Sequence, residues 1–231
     1  VYWLFVLLTL LLVGLVAAAT YRAAQLLPDW PLDSNPLLLP AENVVRLILL
    51  ACCLGLGRLS GLPPQTLGWV WPTPLRQSAW GILWGTILAL LYVFLTRRLV
   101  AGTGNRYYTP AVVRVIVPKS PRELAAITLV MVGVVVVEEM LFRGLLIGGL
   151  TPLLPGPLLV LLAGLLFGLL HSPQGLWGMV AIGVGGMALG WMFLGAQSLL
   201  LPMVAHYVAN MLQILYAYRR RDSLLAPDTP T

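Results

Sequence analysis

Apolar runs long enough to cross a bilayer recur along the whole chain, and most polar positions fall between them. The pattern predicts spans at about 2–20, 43–57, 79–96, 123–150, 156–172, 176–195 and 198–218. The fold class is therefore all-α, a polytopic transmembrane helical bundle of about seven spans, with a range of six to eight. The second run is short and holds Arg46. The fourth is too long: at about 1.5 Å per residue it reaches roughly 42 Å, against a hydrocarbon core of about 30 Å. It must tilt, kink or emerge.

Three positions break the apolar pattern of that fourth run. From Leu124 to Leu150 the charged residues are Glu138, Glu139 and Arg143. An ionisable group at the centre of a span costs about 2.5–3.5 kcal/mol on insertion scales, so such groups face the bundle interior and mark a working site. Glu139 and Arg143 stand four apart, a spacing that pairs them on one helix face. Glu138 is turned by about 100° and points toward another helix. Read blandly, the Glu–Arg pair is a structural lock on helix register. That reading leaves Glu138 unexplained.

Other polar residues in neighbouring apolar runs supply partners. The chain has two histidines, and both fall in the C-terminal block. His171 ends Phe167-Gly-Leu-Leu-His171, and His206 opens His206-Tyr-Val-Ala-Asn210, with His206 and Asn210 one turn apart and Gln213 continuing their face. A lone membrane histidine is an ordinary interhelical hydrogen bonder. Two of them beside a Glu pair, an Arg and an Asn make a catalytic set. A carboxylate with a facing imidazole can take a proton from water, and an imidazole with an amide can donate to an oxyanion. That chemistry suits amide hydrolysis.

Other protease types fit poorly. Asp29, Asp33, Asp222 and Asp228 all lie in loops or the tail, so no aspartyl dyad forms within the spans. Neither H-E-x-x-H nor Gly-x-Ser-x-Gly occurs. A His₂Glu zinc set from Glu138, His171 and His206 stays open on the residues alone. A proton-relaying transporter would favour inverted repeats and broken helices, and neither is visible. A non-catalytic scaffold or immunity protein remains the main rival.

Composition adds orientation rather than function. Hydrophobic residues make up 59% and charged ones 10%, and the net charge of +6 clusters beside spans, so it is no nucleic-acid footprint. Arg97, Arg98, Arg106, Arg114, Lys119 and Arg122 occupy one connection, and Arg219, Arg220 and Arg221 follow the last span; both should be cytoplasmic. Within that connection the run 112–116 reads as a surface-lying segment. Trp30, Trp69 and Trp71 mark headgroup levels. Cys52 and Cys53 have no metal or redox spacing and read as small buried hydrophobes. Gly144/Gly148, Gly164/Gly168 and Gly186/Gly190 give small faces for close helix packing. The chain divides into 1–122 (N-terminal spans and basic connection), 123–218 (a C-terminal four-helix catalytic block) and 219–231 (a polar, frayed tail).

In order, EEMLFR at 138–143, FGLLH at 167–171 and HYVAN at 206–210 complete the pattern E-E-x-x-x-R, F-x-x-x-H, H-x-x-x-N/D. Across about 123–218 the chain resembles the CAAX protease and bacteriocin-processing (CPBP, or Abi) family of intramembrane glutamic endopeptidases. The resemblance implies that Glu138 and His171 activate water. It implies an oxyanion site from His206 and Asn210, with Glu139 and Arg143 orienting and tuning the first glutamate. It also implies catalysis without metal or other cofactor. The implied partners are a membrane protein or peptide substrate, lipidated or not, and the lipid bilayer. The short loops point to a multi-pass protein of a prokaryotic plasma membrane.

Overall fold

The computed structural model describes residues 1–26, 31 and 34–225. Trp30, Asp29, Asp33 and the tail beyond 225 lie outside the described residues, as do the readings that rested on them. Every regular element among the described residues is helical. Six helices are long and apolar enough to cross a membrane: α1 (Tyr2–Leu26), α2 (Pro40–Leu59), α3 (Pro74–Thr103), the composite Pro121–Gly148, the stretch Ser172–Ala196 and α8 (Leu200–Arg219). The chain is a multi-pass helical membrane protein.

Two predicted spans change character. The expected run 156–172 is α6 (Gly156–Leu169), only 14 residues long. At about 1.5 Å per residue it reaches roughly 21 Å, short of a full crossing. It stops because Pro173 offers no backbone N–H and disfavours helix before it, while Gly175 holds φ at +82°, where a side chain is strained. A 3-10 turn, Ser172–Gln174, separates α6 from α7 (Gly175–Ala196). His171 caps that turn and so lies in a break, outside any helical span.

The overlong fourth run resolves differently. It is α5 (Pro121–Glu139) followed by a π-helical stretch, Met140–Gly148. π segments are rare and often sit at functional sites. The start of α5 is well anchored: Ser120 Oγ accepts from Glu123 N at 3.1 Å, and Glu123 Oε1 accepts from Asn35 Nδ2 at 3.0 Å. In the connection ahead of it, the run 112–116 forms α4 (Ala111–Ile116), with Val115 buried. A last helix, α9 (Arg221–Leu225), follows α8.

Glycines set the close approaches. A Cβ on Gly168 would lie 2.4 Å from Met179 O, and one on Gly164 would lie 3.1 Å from Gly183 O, so α6 and α7 touch backbone to backbone. Gly81 and Gly85 do the same for α3 on α8: a Cβ at Gly85 would lie 2.4 Å from Ala205 O. Gly144 and Gly148 were predicted to meet a helix. They face the loop 60–73 instead, where a Cβ at Gly148 would come 2.3 Å from Thr66 O. That loop plugs into the bundle because its own apolar residues need cover: Leu67 is fully buried, and Gly68 O accepts from Leu199 N at 2.9 Å. Trp69 tucks its ring against Gly57, while Trp71 stays exposed. Cys53 is buried as expected, and Cys52 only half so.

Candidate active site

Three separate segments bring the predicted polar residues together. The end of α5 and the π stretch supply Glu138, Glu139 and Arg143. The break after α6 supplies His171, and α8 supplies His206 and Asn210. α8 is held in place from behind by the Gly81/Gly85 face of α3.

The centre is a fully buried carboxylate. Glu139 has no exposed surface, and its Oε1 accepts from Arg143 Nη1 at 2.9 Å and from His206 Nδ1 at 2.7 Å. Its Oε2 has no hydrogen-bond partner among the described residues. Arg143, equally buried, sends Nη2 to the backbone oxygen of Gly186 at 2.8 Å. The predicted pair therefore exists, and it ties α5 to both α7 and α8. Buried charges persist where they are paired and hydrogen-bonded in this way.

Glu138 occupies a different environment. Its side chain keeps 30% of its surface, and its Oε2 lies 3.5 Å from His206 Nε2. That separation is longer than a good hydrogen bond. His206 consequently stands between the two adjacent glutamates, one on each ring nitrogen. Glu139 contacts His206 and reaches Glu138 through it, while Arg143 acts on that pair only through Glu139.

His171 is held by neutral groups. Its Nδ1 is 2.7 Å from Phe167 O, and a carbonyl only accepts, so Nδ1 carries the proton. In the neutral ring this leaves Nε2 with a free lone pair. His171 lies within electrostatic reach of both Glu138 and His206. Asn210 is the outlier. It sits one turn beyond His206, and its Nδ2 points at Met131 Sδ, 3.6 Å away, a weak acceptor.

Sequence reasoning missed two contributors. Phe167 was read only as the head of a motif, yet its ring is the common wall of the cluster. Its centroid lies 4.7 Å from that of His171, 5.9 Å from His206 and 4.9 Å from Phe142, with Arg143 Cζ 5.1 Å above it. Gly186 was read as a packing position, but its carbonyl holds the arginine. No local signal marks such a carbonyl, whereas an aromatic at the head of a His-ending run gave a weak one.

Among the described residues no group of three His, Cys, Asp or Glu side chains is arranged to hold a metal ion. A cavity of about 550 Å³ lies beside the cluster, lined among others by Leu54, Trp69, Val135, Met140, Met203 and Tyr207. Met140 follows Glu139 and Tyr207 follows His206, yet none of the six predicted site residues lines it.

No curated protein and no solved structure matches the chain. Residues 120–212 match the model of a family described as type II CAAX prenyl endopeptidase Rce1-like, from the N-cap of α5 into the last half of α8. All three motifs and all six predicted residues fall inside that stretch. Through residues 120–212 the chain is similar to this family of CAAX prenyl endopeptidases.

Proposed function

We propose that this protein hydrolyses a peptide bond of a membrane-associated protein or peptide, using water activated by Glu138 and His171. The observation that supports this most is the placement of one imidazole between two unlike carboxylates: Glu139 fully buried, Glu138 still accessible. Glu138 takes a proton from water while the free Nε2 of His171 orients it. The hydroxide adds to the scissile carbonyl, whose oxygen takes the electron pair. When protonated, His206 donates from both nitrogens: Nδ1–H to Glu139 and Nε2–H to the oxyanion. Asn210 supplies the second donor after leaving the weak sulfur contact. Collapse breaks the C–N bond and expels the amine, which takes up from the Glu138 carboxyl the proton that came from water. Phe167 and Arg143 keep the cluster in one orientation and apart from bulk solvent.

The neighbouring apolar cavity favours a substrate with an apolar or lipid moiety, since its walls offer that moiety few polar partners. The host membrane we infer is the plasma membrane of a prokaryote, with the basic connection and tail on the cytoplasmic side.

The test is cleavage of a lipidated reporter peptide, and of its unlipidated twin, by purified protein in lipid nanodiscs. His171→Ala should lower turnover by about 10²–10⁴-fold, and Glu138→Ala likewise. Unchanged cleavage by either variant rejects the assigned role. Loss of activity on dialysis against a chelator, restored by zinc, would replace the metal-free mechanism. A scaffold reading draws on the Glu139–Arg143–Gly186 cross-link, which is what structural glue would look like. It gives Glu138 no task, and it gains if physiological function survives the loss of Glu138.

A further inference from the structure

We infer that Tyr92 and Gln174, with the strap Tyr107–Thr109, are positioning residues that fix the water-activating imidazole of His171; this rests on the role proposed for His171. The break after α6 ought to be the least constrained part of the site, because no helix continues through it. It is instead fastened from two sides. The His171 carbonyl accepts from Gln174 N at 3.0 Å, so the histidine's backbone moves with Gln174. Gln174 is tied twice: its Oε1 accepts from Tyr92 Oη on α3 at 3.0 Å, and its carbonyl accepts from Thr109 N at 3.2 Å.

The next residues extend the fastening. Trp177 N donates to Tyr107 O at 2.8 Å, and Trp177 Nε1 donates to Thr96 Oγ1 on α3 at 2.8 Å. Between them Gly175 passes so close to the strap that a Cβ would lie 2.7 Å from Tyr107 O. On its other side, His171 is pinned through Nδ1 to Phe167 O. The ring is thus located by α6 and the backbone by α3 and the strap. None of the groups in this second set touches the reacting atoms. Each acts through the 3-10 turn.

A mere brace for the turn would stabilise the fold without setting the imidazole, so the test must watch the ring itself. The chain's two histidines make this practical. Full-length protein labelled with ring-¹⁵N histidine gives two imidazole signal sets, and His206→Gln assigns them. In Tyr92→Phe and in Gln174→Ala, the His171 nitrogens should shift from a fixed Nδ1–H tautomer toward an averaged pair, while those of His206 stay put. Turnover of the reporter should fall ~10-fold with KM within about twofold. Unchanged His171 signals in both variants, in protein that still melts like the parent, would overturn the positioning role. Should His171→Ala leave cleavage intact while Tyr92→Phe still shifts the ring, the positioning stands and the hydrolytic reading fails.

Discussion

Glu138 and Glu139 are bonded neighbours in the chain, yet they differ sharply in burial. One is sealed at 0% exposure beneath an arginine and a histidine; the other keeps 30% of its side-chain surface. The helix makes the split: about 100° of rotation sends one carboxylate to the α7–α8 seam and leaves the other at its edge. Under the proposed function this difference is a division of labour. A buried, paired carboxylate fixes geometry, and a carboxylate that must exchange protons with water needs access. The histidine between them belongs to both.

The strongest way to break the comparison is to neutralise the inner carboxylate alone. Glu139→Gln strands Arg143 in the interior, and the loss of stability should be about 3–5 kcal/mol, read as a lowered unfolding midpoint in detergent. Adding Arg143→Met removes the stranded charge, so the double variant should recover much of that loss. A double variant as unstable as the single one would deny that the pair is the structural half.

A gentler probe keeps the charge. Arg143→Lys retains an ion for Glu139 but loses the planar fork that also reaches Gly186 O, and should cost about 1.5–3 kcal/mol in the same unfolding assay. Gly148→Ala presses on the loop 60–73 at Thr66 O and should cost about 1–3 kcal/mol with little change in KM. At the far end of the scale, Leu129→Ala alters a residue 76% exposed on the outer face of α5. It should stay within about 0.5 kcal/mol of the parent.

Much of this was legible in the sequence, for a physical reason. Hydropathy is a local property, and a charge inside an apolar run is conspicuous because lipid makes it costly. The spans and all six polar residues could therefore be read one segment at a time. The break at His171 was also legible in Ser172-Pro173 and Gly175, yet hydropathy carried the predicted span straight through it. Tertiary contacts left no such trace. Gly81 and Gly85 belong to a part of the chain without motifs, but they let α3 press on α8 and so locate His206. Gly148 looks identical whether it faces a helix or, as here, a plugged loop. The second carboxylate's partner likewise emerged only when α8 was brought beside α5: the sequence paired Glu139 with Arg143, and the fold added His206.

The most direct test of this division is Glu138→Gln, with unfolding and reporter cleavage measured on the same nanodisc preparation. The account predicts an unfolding midpoint equal to the parent's and cleavage reduced by about 10²–10⁴-fold. Cleavage at the parent's rate, or a midpoint lowered as far as in Glu139→Gln, would contradict it.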